Sequence, residues 1–141
     1  MANDSSDFAR SMSIATSGLR AQAGRMRVIS ENVANADSTA ATAGGDPYRR
    51  KVPTFTSALD RAVDAKVVSL GKVVPDQSAF RIKYDPTNPA ADASGNVKYP
   101  NVNPLIEMTD MRDAQRSYEA NLNIIGATRR MIQRTLDILK T

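Results

Sequence analysis

The chain has no cysteine, no histidine and no tryptophan. Without cysteine there is no disulfide, no thiolate metal ligand and no thiol nucleophile. Without histidine, the commonest general base and the commonest neutral metal ligand are both missing. An enzyme made from this chain would have to work with carboxylates and lysines alone, as paired-acid glycosidases do. No two acids stand apart from turn or helix-surface positions, so no catalytic, cofactor-binding or metal site is expected. Aromatic bulk is limited to Phe8, Phe55, Phe80, Tyr48, Tyr84, Tyr99 and Tyr118, and a core must be built mainly from Val, Ile, Leu, Met and Ala. No run approaches the roughly 18 apolar residues of a membrane span. Met1 to Asp7 is polar where a cleavable secretory signal would have a basic start and an apolar core, so a protein soluble when made is expected. Its 141 residues suffice for one domain, or for a helical stem plus a small module.

What the chain does have is an apolar stripe at each end. Phe8, Met12, Ala15, Leu19, Met26, Ile29 and Val33 follow steps of four and three, with Gln22 the polar member. Met108, Met111, Tyr118, Leu122, Ile125, Ile132, Leu136 and Leu139 do the same, interrupted by Gln115 and Arg129. This heptad rhythm keeps one face of a helix toward a neighbour over many turns, so the two ends are expected to pair. The first helix is expected from near Asp7 to about Asn35. The second starts at Asn103, a good N-cap, with Pro104 in the first helical position where its missing N–H costs nothing. Each helix carries a second row, Ile14, Gly18, Ala21 and Val28 on the first, and Ala120, Ile124, Ala127, Met131 and Ile138 on the second. Stripes this wide belong to helices with several neighbours. The second rows are therefore expected to meet other subunits, since a small β module covers only part of them.

Between the helices, 48–55, 66–74 and 80–85 alternate β-branched or aromatic residues and read as strands, with a short extended piece at 97–99. The stretch 56–65 reads equally as a short helix or a connection. Four prolines and Asp92-Ala-Ser-Gly-Asn96 make 85–104 a series of turns. Its scattered oxygens lack the acidic spacing and closing Glu of a calcium loop. The expected architecture is α+β: residues 1–37 a helix, 38–102 a loop and small β-rich domain, 103–141 a second helix. The net charge of +4 rides on helix surfaces, with Arg129, Arg130, Arg134 and Lys140 in the closing turns. Only Tyr48-Arg49-Arg50-Lys51 mixes aromatic and basic residues, so nucleic-acid binding is not expected. A membrane-surface role would use the basic amphipathic ends, but the first helix lacks the Trp and Lys-rich face such segments favour.

Several segments together carry a resemblance. Ser17 to Asp37, with Asn32 and Asn35 closing the helix as Asn-x-x-Asn, resembles the amino-terminal signature of the bacterial flagellar rod and hook proteins. Tyr48-Arg-Arg-Lys-Val-Pro-Thr-Phe55, Tyr84-Asp-Pro-Thr-Asn-Pro89, Tyr99-Pro-Asn-Val-Asn-Pro104 onward to Met111, and Ala114 to Leu122 with Thr135 to Leu139 are similar to the proximal-rod subunits of that family. The polar start, Met1 to Asp7, departs from the pattern. The resemblance implies a structural subunit whose terminal helices pair as an antiparallel coiled coil around a small β-rich domain. It also implies export through the flagellar type III apparatus without a cleaved signal. Other rod proteins and copies of the chain would then be its partners in a helical drive shaft, the basal-body rod crossing the periplasm. Phe8 and Met12 resemble the Phe-x-x-x-hydrophobic signal that engages the export gate. Another rod- or hook-type axial protein is the alternative.

Overall fold

Two long helices enclose four strands: α1 (Ala2–Ala34), β1 (Lys51–Asp60), β2 (Ala65–Pro75), β3 (Arg81–Tyr84), β4 (Asn96–Tyr99) and α2 (Pro104–Leu139). A computed structural model describes residues 2–140, with side chains from Ser6 onward; Met1 and Thr141, the outer limits of the expected helical segments, lie outside the described residues. The helix α1 begins earlier than the expected Asp7. At its other end, Asn35 donates from Nδ2 to the Glu31 carbonyl at 2.8 Å, which also accepts from Asn35 N at 3.2 Å. The start of α2 is built as its sequence demands. Asn103 Oδ1 accepts from Leu105 N at 3.0 Å and the Asn103 carbonyl accepts from Glu107 N at 3.1 Å, with Pro104 between them.

The ambiguous stretch 56–65 is neither helix nor plain connection. Thr56 to Asp60 extend β1, residues 61–64 turn, and β2 returns beside β1 as a hairpin. Thr56 Oγ1 and Ser69 Oγ lie 2.9 Å apart across the strands, and Thr54 Oγ1 donates to the Lys72 carbonyl at 2.6 Å. The turn is closed by Asp60 Oδ1, which accepts from Ala62 N, and by Asp64 at φ 48°, a left-handed conformation that Asp tolerates. Strands β3 and β4 pair antiparallel, Arg81 opposite Tyr99 and Tyr84 opposite Asn96. The oxygens between them serve turns, as expected: Asp92 Oδ1 accepts from both Ser94 N and Asn96 N.

Packing divides the chain into two compact units, Met1–Met26 with Thr54–Lys72 and Asp113–Thr141, and Arg27–Pro53 with Val73–Arg112. Each contains the beginning of one long helix and the end of the other, the arrangement of an antiparallel pair. These units cut across the helices, whereas the boundaries read from the sequence fall at helix ends.

In the first unit, α1 is flanked on two sides. Ser17 Oγ donates to the Ile14 carbonyl and accepts from Val68 N of β2, Arg10 Nε donates to the Val63 carbonyl at 2.8 Å, and a Cβ on Gly24 would stand 2.8 Å from Leu70 Cδ2. Toward α2 the spacing is equally close, since a Cβ on Gly18 would stand 2.7 Å from Asn121 Nδ2. The buried positions here are Ala15, Ala21, Ala65, Ala114 and Thr128. Small side chains let the backbones approach, and large ones are left outside.

The row that faces inward on α2 is correspondingly not the expected one. Glu107, Ala114 and Thr128 are buried and Met111, Tyr118, Asn121, Ile125 and Ile132 are half-buried, an unbroken series of four-and-three steps. It shares Met111, Tyr118, Ile125 and Ile132 with the apolar stripe, but takes Glu107, Ala114, Asn121 and Thr128 in place of Met108, Gln115, Leu122 and Arg129. Leu122 is 51% exposed, and Met108, Leu136 and Leu139 are also exposed. The reason is steric: Leu122 at the Gly18 crossing would hold the helices apart, whereas the slim amide of Asn121 fits. Gly18→Leu is expected to lower stability by about 2 kcal/mol through overpacking. Adding Asn121→Ala should recover most of that loss in urea melts; a double variant whose losses simply add would refute the close crossing.

Candidate functional site

The most constrained site in the molecule lies in the second unit, around Asn32 in the last turn of α1. Its side chain is 1% exposed and uses its whole hydrogen-bonding capacity. Oδ1 accepts from Tyr48 Oη at 2.8 Å and from Lys51 N at 2.9 Å. Nδ2 donates to the Lys51 carbonyl at 2.8 Å and to Glu107 Oε2 at 3.0 Å. The Lys51 N–H can only donate, which fixes the orientation of the amide. Asn32 thereby pairs with both polar groups of the Lys51 backbone, as a neighbouring strand would, and ties the start of β1 to α1.

Glu107, on the first turns of α2, is as deeply buried. A carboxylate in such a place is tolerable only with a cation and hydrogen bonds. Arg50 Nε donates to Glu107 Oε1 at 2.5 Å, and its other nitrogens lie 3.4 Å from Asp76 Oδ2 and 3.8 Å from Asp110 Oδ2. Burial opposes the Arg50 charge, but the hydrogen bond and charge of Glu107, with those of Asp76, outweigh it and hold the guanidinium above its ordinary pKa. Bonds from Ser78 to Asp76, and then Arg50, hold the Asp76 carboxyl below its usual range. Burial, followed by the nearby charges of Glu31 and Glu107, pushes Tyr48 up to about 12. The backbone joins in, since Asn101 Oδ1 accepts from Arg50 N at 2.8 Å while Asn101 Nδ2 reaches the Asp76 carbonyl and Ser78. Lys51 Nζ pairs with Glu31 at the rim.

Chemically this cluster is a fastener. The buried amide of Asn32 and the buried carboxylate of Glu107 are paired with groups inside the chain. The cluster joins four separate stretches of chain: Asn32, Tyr48 to Lys51, Asp76 with Ser78, and Asn101 to Glu107. Of the residues singled out in the sequence, Asn32 and Tyr48 are in it, Asn35 caps α1 beside it, and Asn103 and Pro104 open the helix that carries Glu107. Arg50, Asp76, Asn101 and Glu107 were not anticipated. The signal for Glu107 is the regular inward row of α2, which an apolar criterion passes over.

The expected contact residues are distributed unevenly. Ile29 is buried, and Phe8, Met12, Leu19, Met26, Val33, Tyr118, Ile125 and Ile132 are half-buried within the chain. Of the second rows, Ile14, Ile124, Met131 and Ile138 are exposed. Val28 is not: at 3% exposure it is buried in its own subunit, so it presents nothing to another. The β segments cover more of that face of α1 than expected.

Residues 12–41 match the family described as flagella basal body rod protein. Residues 93–138 match that described as flagellar basal body rod FlgEFG protein C-terminal. The chain is 54% identical to the flagellar basal-body rod protein FlgC of Agrobacterium fabrum, over 90% of this chain and 91% of the relative. To the FlgC of Bacillus subtilis it is 40% identical over 92% and 97%, and to that of Salmonella typhimurium 38% over 89% and 92%.

Asn32→Asp keeps the acceptor but turns the other amide position into an oxygen facing Glu107 and the Lys51 carbonyl. That oxygen needs a proton, so the new carboxyl should have a raised folded-state pKa. Its stability is then greatest below the unfolded carboxyl range and is lost as pH rises. Melts at pH 5 and pH 8 should show the variant weaker at pH 8; a variant with wild-type pH dependence would contradict the geometry. For Tyr48 the sign runs likewise. Its raised pKa gives stability that is full below the unfolded value of about 10 and lost between there and about 12. Tyr48→Phe should flatten that alkaline fall relative to wild type, and an identical slope in both would refute it.

Proposed function

The chain belongs to the FlgC family of flagellar basal-body rod proteins, and we propose that it serves as a subunit of the proximal rod, assembled through its terminal helices. The family is structural, and its relatives place the protein in the flagellar basal body. The observation that supports the assembly reading is the exposure of large apolar side chains on both long helices of the folded chain. On α2, Leu105, Met108, Leu122 and Ile124 are all about half exposed or more, as is Ile14 of α1. Apolar surface of this extent along paired helices suits burial by neighbouring copies and by other rod proteins.

In this reading the chain is made in the cytoplasm, leaves through the flagellar type III export gate without a cleaved signal, and joins the rod in the periplasm. Among the described residues, no helix is long and apolar enough to cross a membrane. Phe8 and Met12, one turn apart and half-buried once folded, would meet the gate while the chain is unfolded and enter the helix contacts afterwards.

The test is Leu122→Asp in a motile host whose own subunit has been replaced. Because Leu122 is exposed within the chain, the purified variant should keep wild-type stability to within about 0.5 kcal/mol. It should still be exported, yet fail to enter basal bodies, where the new charge would be buried unpaired. Intact basal bodies and normal swimming would refute the proposed contact face.

A further inference from the structure

Beyond Thr128, α2 is covered on one side only. From Arg129 to Lys140 every residue is exposed except Ile132, which is half-buried. At about 100° per residue, Met131, Ile132, Thr135, Leu136 and Leu139 fall within one arc of about 140°. Arg129, Arg130, Gln133, Arg134, Asp137 and Lys140 occupy the opposite side. Met131, Leu136 and Leu139 are 48%, 47% and 67% exposed. None of the four cations makes an ion pair or side-chain hydrogen bond among the described residues. One acid, Asp137, stands among them, and its Oδ1 accepts from Gln133.

Charge decides what suits this face. The first unit has eleven Lys and Arg against seven Asp and Glu, and the second has eight against eight, so the whole net charge of +4 lies in the unit that carries this segment. A second copy would bring either the same positive unit or a neutral one. An anionic surface is the complementary occupant. The side-by-side arrangement of an apolar arc and a cationic arc is what a helix lying in a lipid interface needs, its apolar half in the acyl boundary and its cations among the phosphates.

We infer that residues 129–140 are a peripheral docking face for an anionic lipid surface, used by the free subunit. This goes beyond the rod reading and does not rest on it, because the rod contacts proposed above use Ile14, Leu105, Met108, Leu122 and Ile124. Each cation held near an anionic membrane strengthens binding by about fivefold. Replacing two of the four by acids should therefore weaken it by far more than a single step.

The experiment is flotation of the full chain with vesicles of equal parts phosphatidylcholine and phosphatidylglycerol, against phosphatidylcholine alone, at low and high salt. The anionic vesicles should bind at least about tenfold better, and high salt should erase the difference. Arg130→Glu with Arg134→Glu should reduce anionic binding at least about twentyfold. Met131→Ser with Leu139→Ser should abolish it at unchanged charge, both variants keeping the wild-type circular dichroism. Equal binding to both vesicles, or full binding by the charge-reversed variant, would overturn the inference. So would sedimentation showing an oligomer that the serine variant disperses while neither protein floats, since a second copy would then own the face.

Discussion

The second unit depends on one side-chain amide. Asn32 makes four hydrogen bonds from a site almost without water, two to the Lys51 backbone, one to Tyr48 and one to Glu107. Remove it, and Lys51 loses its strand-like partner, Tyr48 its acceptor, and Glu107 one of the donors that make its burial tolerable. Each such loss leaves a buried polar group unpaired, at roughly 1–3 kcal/mol apiece, and charged groups cost more. Arg50 is the other half of the arrangement, for without it Glu107 would be a carboxylate with nothing to balance it. A buried ion pair is weak evidence for stability, because apolar residues of similar volume often serve as well. Its merit here is specificity: the cluster admits one register of β1 against α1 and one position for the start of α2.

The helices show the complementary choice. Gly18 lies against Asn121 and the buried helix positions of the first unit are Ala15, Ala21, Ala114 and Thr128, while Leu122, Ile124, Leu136 and Leu139 stay outside. Inside one chain this looks inverted, since burying a leucine contributes about 1.5–3 kcal/mol and burying an alanine much less. It is coherent for a subunit whose helices acquire more neighbours later. Small residues bring the two backbones together without exhausting the apolar surface, and Leu122 and Ile124 stay available for the contacts proposed between subunits.

Both ends of the fold were legible in the sequence because their determinants are local. Asn103 and Pro104 specify where α2 begins, four-and-three spacing specifies helices with a buried face, and alternation around Val67 to Val73 specifies β2. The choice of inward row was not legible from hydrophobicity, because the close approach at Gly18 makes Asn121 fit better than Leu122. No periodicity reports the distance between two backbones. The polar cluster was half legible: Asn32 and Tyr48 stood in segments resembling rod proteins, while Arg50, Asn101 and Glu107 act through contacts 51 to 75 residues apart in sequence. The stretch 56–65 stayed ambiguous for a similar reason, as Thr56 to Asp60 take strand form only by pairing with β2.

If the chain serves in the rod as proposed, it must hold its fold in the assembly and also pass the export gate as an unfolded chain. In the first unit the buried positions are small and release little apolar contact when the chain opens; the second unit adds a polar cluster beside buried Ile29, Val97 and Val102. The directional bonds of that cluster lose their energy within a few tenths of an ångström or a few tens of degrees, so they tolerate few alternative packings once closed. On that proposal, the stability that the isolated chain forgoes by leaving Leu122 and Ile124 exposed would be recovered between subunits.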